Sequence, residues 1–337
     1  MKYWNDKTFI IAELSANHNN DFNLAVKTIE AMAEAGADAV KVQTYTADSL
    51  TLNVDNEYFG PRKEGLWKGW RPYDLFQQAM MPYEWQPKLQ KIAEDLGLVF
   101  FSSPFDKEGA DFLERMNVPM YKVASLEIND LPLIRHIAKK GKPILFSTGA
   151  AEFSDIEKVV KIGKEFGIEV ALLKCTSEYP ASFADANLLT IPSMRQNFQV
   201  TIGVSDHTPG ATVPVVAVAL GAQIVEKHFI LSRDLGGPDS AFSMEPKEFQ
   251  SMVQQIREAE KSLGSIDYTL KDKDRLRRRS LFASCSIRKG EIFTYENVRS
   301  VRPGHGLSPD FIGQLIGKVA RKDIQKGTPI SSLFFEE

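Results

Sequence analysis

Two histidines stand out by where they fall. His207, in Ser205-Asp206-His207-Thr208, and His228, in Glu226-Lys227-His228, each follow a short apolar run. Neutral imidazole is a common ligand for divalent transition ions, and an ion with open positions polarises a substrate oxygen. Two unrelated histidines of core or surface would do no such chemistry, and the residues alone leave both readings open. Asp206 and Glu226 are either partners that orient the rings or plain surface charges. Lys41, Lys122 and Lys227 also sit within or at the ends of apolar runs. A lysine aimed into a core needs an anion, which would make it a trap for phosphate or carboxylate. One aimed outward lays its stem along apolar surface and keeps its ammonium in water. Ser103, Ser125, Ser147, Ser177 and Ser205 recur at one level after successive runs, and a ring of hydroxyls donates to phosphate oxygens. Glu13 is an acid or base, a holder of a substrate hydroxyl, or an ion-pair partner for Lys41.

The elements that would position these groups are eight apolar runs, at 9–14, 38–42, 98–101, 121–124, 143–146, 169–174, 199–204 and 222–225. Continuous apolar runs mark parallel strands buried on both faces. Between them lie segments of helical period at 20–35, 84–96, 107–116, 131–140, 155–166, 185–196, 210–220 and 246–263. The first places Phe22, Ala25, Ile29 and Met32 on one face, and Gly36 and Gly97 close two of them. Eight strands alternating with eight helices predict an α/β fold, a TIM (β/α)8 barrel over residues 1–263. In that fold the catalytic groups come from the C-terminal strand ends, where the polar clusters fall. One connection, from Thr44 to about residue 84, is long and rich in aromatics (Tyr58, Trp67, Trp70, Tyr73, Phe76). It is read as a lid or as packing over the barrel mouth.

After residue 263 the pattern changes. A linker at 264–274 leads to a small β-rich domain at 275–337. Its segments SIRKGEIFTYENV and DIQKGTPISSL read as two hairpins with Lys-Gly turns. Arg275 to Arg279 form a basic run, read as a salt-bridge strip and not as a nucleic-acid site.

Composition removes other classes. A net charge of −3 favours neither nucleic acid nor a membrane surface. Two cysteines make no disulfide framework, and Cys175 reads as a buried free thiol. The sequence has no apolar stretch of membrane-spanning length and no secretory leader, so it reads as cytoplasmic. The fingerprints of serine hydrolases, P-loop NTPases and dinucleotide enzymes are absent from the sequence.

The strings IAELSANHNND, GADAVKVQTY, FFSSPFD, YKVASLEI, ILFSTG, LKCTSEYP, GVSDHT and ALGAQIVEKHF occur in order on the expected strands. Through them the chain resembles the sialic acid synthase family of phosphoenolpyruvate-condensing barrels. Its C-terminal part resembles the SAF, or antifreeze-like, domain of those enzymes. ELSANH, VQTYTADSLTLN, GLW and MPYEW point to the branch that forms pseudaminate.

The resemblance implies condensation of phosphoenolpyruvate with 2,4-diacetamido-2,4,6-trideoxy-L-altrose, with C–O cleavage of the enol phosphate. N-acetylneuraminate or legionaminate synthesis by the same mechanism is the alternative, and a non-catalytic carbohydrate- or ice-binding protein is a remote one. It implies Mn²⁺, or Mg²⁺ or Co²⁺, on His207 and His228. By motif, Lys41, Ser103, Lys122, Ser125, Ser147, Ser177 and Ser205 would cradle phosphoenolpyruvate. Glu13 would be the acid or base. Gln43, Glu127, Tyr179, Glu226 and Asp239 would meet the sugar, as would Arg302 from the SAF domain across a domain-swapped homodimer. A 6-deoxy acceptor calls for an apolar wall at C6, for which the aromatic connection is a candidate that the sequence does not place.

Overall fold

The computed structural model describes residues 7–335. Eight parallel strands close into a barrel in sequence order: β1 (Phe9–Glu13), β2 (Ala39–Thr44), β3 (Val99–Pro104), β4 (Tyr121–Val123), β5 (Ile144–Ser147), β6 (Val170–Cys175), β7 (Thr201–Asp206) and β8 (Ile224–His228). β8 returns to pair with β1. Most of the strands run one to three residues beyond their apolar stretches, because the polar residues at their ends still pair with neighbours. Gln43 pairs with Ser103, Asp206 with Lys227 and Glu13 with His228.

Strand alternation sorts the core into two shells. One parity fills the barrel with Phe9, Ile11, Ala39, Phe101, Leu145, Leu173 and Ile224. The other faces the helices with Ile10, Ala12, Val40, Val42, Phe100, Leu172, Val204 and Val225. On β7 the inner position is Gly203, where a Cβ would lie 2.5 Å from Ile224 O and 2.6 Å from Leu173 Cδ2. Only glycine lets β7 approach so closely.

Helices cover the outside. Phe22–Glu34 buries Ala25, Thr28, Ile29 and Met32 and is capped by Asp21, whose carboxylate accepts from the Asn23 and Leu24 amides. Pro246–Leu263 spans the expected residues. Two expectations need correction. The long connection contains a helix, Pro72–Ala79, begun by a proline at its first turn. It is short and buries only Leu75, so it carries little periodic signal. The segment expected at 185–196 folds as a 3₁₀ turn, Phe183–Asp185, and a later helix, Thr190–Phe198. There Ile191, Met194 and Phe198 supply the buried stripe.

The chain divides into two compact units, 1–264 and 265–337. The second has its own core of Leu281, Ile287, Phe293, Val298, Leu315, Ile324 and Ile330. β9 (Ser280–Ala283) and β10 (Val298–Val301) pair antiparallel. The two Lys-Gly segments are not separate hairpins: Ile287 of the first pairs with Ile324 of the second, and Ile292 of the first pairs with Val319, just ahead of the second. Their similar alternation fits each as partner to the other as well as to itself. Arg275 and Arg277 lie 3.9 Å and 3.8 Å from Asp272 and Asp274, exposed.

Candidate active site

The inward parity that carries apolar side chains at the bottom of the barrel carries polar ones at its C-terminal end. Glu13, Lys41, Gln43, Ser103, Lys122, Ser147, Ser205, Glu226 and His228 are its upper ring, and all but Gln43 are buried. Lys41 Nζ lies 2.6 Å from Glu13 Oε2 and 3.7 Å from Glu226 Oε1, and donates to Ser103 Oγ at 3.4 Å. Lys122 donates to Ser147 Oγ at 2.6 Å. Ser205 donates to Glu226 Oε1 at 3.1 Å. Gln43 Nε2 reaches Glu13 Oε1 at 3.2 Å and Ser15 Oγ at 3.0 Å.

Two cations and two carboxylates share this buried ring, and their protonation follows from it. Burial pushes Glu13 up to about 7, against the pull of Lys41, and the neighbouring Glu226 charge adds to the rise. Burial acts on Glu226 too, but Lys122 and Lys41 outweigh it and hold its pKa down. Near neutrality Glu226 is therefore the anion and Glu13 the proton reservoir. Lys41 stays charged because its two carboxylates overcome burial. Burial lowers Lys122, which donates to Val123 O and Ser147 Oγ, so an incoming anion would stabilise its charge.

Beside Lys122 the backbone closes on the serines. Gly149 N donates to Ser125 Oγ at 3.1 Å. A Cβ on Gly149 would lie 2.3 Å from Ser177 Oγ and 3.0 Å from Ser125 Oγ. Ser177 Oγ is buried without a hydrogen-bond partner, as is Glu127 Oε2. Burial raises Glu127 to about 7, opposed by Lys122.

His207 and His228 meet at the mouth, ring centroids 5.3 Å apart. Thr176 O lies 2.9 Å from His207 Nδ1, so Nδ1–H donates to it; burial alone would lower the His207 pKa, but the Cys175 and Thr176 contacts outweigh it and raise it. Cys175 Sγ is 4.0 Å from the same nitrogen, and the carbonyl is the nearer partner. Burial holds His228 neutral, its pKa far below the usual value, and its Nδ1 is buried without a partner. With the proton of His207 Nε2 displaced, the two rings would offer one imidazole nitrogen each to a divalent ion. Among the described residues no three His, Cys, Asp or Glu side chains are grouped to hold one. An ion here would rest on the two histidines and keep other positions for substrate oxygens.

Tyr179 packs 4.3 Å from His207 and 6.5 Å from His228, and Phe242 lies 4.9 Å from His228. Asp239 accepts from Ser15 Oγ at 2.5 Å. Lys227 is not part of this ring. It lies on the outward parity, ion-paired to Asp206 at 2.5 Å. Arg302 is exposed just past β10 in the second unit. The sequence does not single out Ser15 or Phe242 as site residues, and it gives Trp67 only as one aromatic of the long connection. Ser15 follows the first strand in a polar cluster and was legible there; Phe242 lies in a loop without period. A cavity of about 570 Å³ opens at the other end of the barrel among Glu169, Arg195, Gln199 and Gln223, and holds none of these groups.

Residues 28–268 match the NeuB family and residues 278–333 the SAF domain. The chain belongs to the NeuB family. It is 47% identical to a pseudaminic acid synthase of Campylobacter jejuni, over 98% of this chain and 97% of that protein. It is 42% identical to a pseudaminic acid synthase of Helicobacter pylori, over 96% of each. Among solved structures it matches an N-acetylneuraminic acid synthetase from Leptospira borgpetersenii, determined in complex with citrate. The TM-score is 0.71 and the identity 33%, over 80% of this chain and 90% of that one. Membership in the family makes the strand-end ring of the barrel the place to look for its chemistry. No helix among the described residues is long and apolar enough to cross a membrane.

Proposed function

We propose that this chain is a pseudaminic acid synthase, condensing phosphoenolpyruvate with the open-chain aldehyde of 2,4-diacetamido-2,4,6-trideoxy-L-altrose. The observation that carries the reading is the ring of Lys41, Lys122 and serines set against two histidines, in a chain of this family 42–47% identical to pseudaminic acid synthases. Phosphoenolpyruvate brings a phosphate and a carboxylate. Lys41 and Lys122 would meet them, with Ser103, Ser125, Ser147, Ser177 and Ser205 donating to their oxygens.

In the reaction C3 of the enol phosphate bonds to the aldehyde carbon, whose oxygen takes a proton. Water adds its oxygen to C2 and gives up two protons: one leaves with the phosphate as the C2–O bond breaks and C2 becomes a carbonyl, and the other matches the proton taken by the aldehyde oxygen. Glu13, pushed up to about 7 by burial and lying between Lys41 and Gln43, would move that proton. Gln43, Glu127, Tyr179, Glu226 and Asp239 would hold the sugar. His207 and His228 would hold a divalent ion, Mn²⁺ first and Mg²⁺ or Co²⁺ otherwise, which when bound supplies Lewis-acid polarisation of the aldehyde oxygen. The remaining acceleration is positioning and fixed charge, since no covalent nucleophile is called for. Arg302, acting in a domain-swapped homodimer, and a cytoplasmic setting complete the proposal.

The test is phosphate release from phosphoenolpyruvate with Mn²⁺, offering the trideoxy-altrose, N-acetylmannosamine or the legionaminate precursor, with mass detection of a nine-carbon acid. Turnover with the trideoxy-altrose supports the reading. Turnover with another acceptor alone overturns the acceptor assignment, and none with any overturns the reaction.

A further inference from the structure

Six residues other than glycine take a positive φ among the described residues: Ser15, Asn19, Asn20, Asn117, Asn187 and Gln199. Four are asparagines, which tolerate the left-handed region, and Gln199 ends a helix, where that conformation is routine. All five of these are exposed. Ser15 is the exception: it is buried, at φ 47°, just after β1. Glycine adopts such a bend freely and a serine is strained in it, so the reason for a serine lies in its side chain.

Ser15 Oγ donates to Asp239 Oδ2 at 2.5 Å and accepts from Gln43 Nε2 at 3.0 Å. The next amide, Ala16 N, reaches the same Asp239 oxygen at 3.4 Å. The hydroxyl has a single proton and Asp239 takes it, so towards Gln43 it can only accept. That fixes which end of the Gln43 amide points inward, and the same nitrogen donates to Glu13 Oε1 at 3.2 Å. A chain of hydrogen bonds thus runs from Asp239 through Ser15 and Gln43 to Glu13. The backbone around Asp239 is held separately. Ser243 Oγ donates to Asp239 O at 2.7 Å, and Asn17 Nδ2 donates to Ser243 Oγ at 2.8 Å. Removing the hydroxyl therefore frees a carboxylate and an amide and leaves the loop in place.

We propose that Ser15 is a positioning residue, whose hydroxyl aligns the Asp239 carboxylate for the acceptor sugar and holds the Gln43 amide on Glu13. The inference rests on the proposed function and adds to it a residue that acts through two others. Strain in the backbone at Ser15 is kept for the sake of that alignment.

The experiment compares kcat, both KM values and Tm in the wild type, Ser15→Gly and Ser15→Ala, with the acceptor that the wild type turns over. Both variants lack the hydroxyl, and only glycine relieves the bend. Each should lower kcat/KM for the acceptor by about tenfold or more, through a higher acceptor KM and a lower kcat, with the KM for phosphoenolpyruvate nearly unchanged. Ser15→Gly should nonetheless melt above Ser15→Ala, so that activity follows the hydroxyl and stability follows the backbone. The glycine variant decides the matter if the alanine variant does not fold. Wild-type kcat and acceptor KM in Ser15→Gly overturn the inference. So does a rise of both KM values by one factor, the mark of a loosened fold. A wild type that releases no phosphate with any acceptor refutes the functional reading and this inference with it.

Discussion

Asp206→Asn tests the brace between β7 and β8 that lies behind the two histidines. Lys227 is fully buried, its ammonium 2.5 Å from Asp206 Oδ2 and also donating to Thr208 O. Removing one partner of a buried pair costs about 3–5 kcal/mol, because a charge is left without its counterion. The asparagine carbonyl still faces the ammonium, so the lower end, about 3 kcal/mol, is expected. Lys227→Met is milder. Asp206 would keep the Thr208 amide at 2.9 Å and the Thr208 hydroxyl at 3.0 Å, and a loss of about 1–2 kcal/mol is expected. The double variant leaves no uncompensated ammonium and should cost less than the sum, with a coupling of about 2 kcal/mol.

There is also a pH signature. Burial already lowers Lys227, and losing Asp206 lowers it further. A lysine whose folded pKa lies below its unfolded value destabilises while the unfolded chain holds the extra proton. The deficit of Asp206→Asn should shrink as pH rises from 7 towards the ordinary lysine value of about 10.4. The assay is urea unfolding of wild type, both single variants and the double variant at pH 7 and pH 9.5. Equal costs for the single variants, summing in the double and flat in pH, would refute the brace.

Other outcomes follow from the same structure. Glu127, raised from 4.5 to about 7 by burial, favours its protonated form when folded, so its contribution to stability is present below 4.5 and lost as pH rises to about 7. Wild type should lose about 2–3 kcal/mol more than Glu127→Gln between pH 4.5 and 8, and parallel urea curves would remove the assignment. Gly149→Ala pushes a methyl onto Ser177 Oγ and should raise the KM for phosphoenolpyruvate about tenfold or more, whereas an unchanged KM would take Ser177 out of the cradle. His207→Ala, or chelation of the wild type, should abolish phosphate release with the fold intact by circular dichroism, and a normal rate would remove the metal assignment.

Sequence by itself determined the barrel. Fully buried parallel strands need unbroken apolar runs, and eight of them separated by helical periods leave few other arrangements. It also marked the strand ends where Lys41, Lys122, Ser147, Ser205, His207 and His228 converge, because buried charge at the end of an apolar run has few other uses. Residue type and strand-end position alone do not separate Lys227 from Lys41 and Lys122; only the family motifs put the latter two, without Lys227, in the cradle. One residue of strand parity sends Lys227 outward to Asp206, and parity is fixed by register across β7 and β8. The helix Pro72–Ala79 and the crossed pairing of the two Lys-Gly segments were hidden for a related reason. The first buries a single side chain, and the second depends on which strand is near, not on the strand's own pattern. Trp67, Tyr179, Asp239 and Phe242 come from three separate loops. What brings them together is closure of the barrel beneath and a few long-range hydrogen bonds, Trp67 to Pro238 and Ser15 to Asp239, which local spacing does not encode.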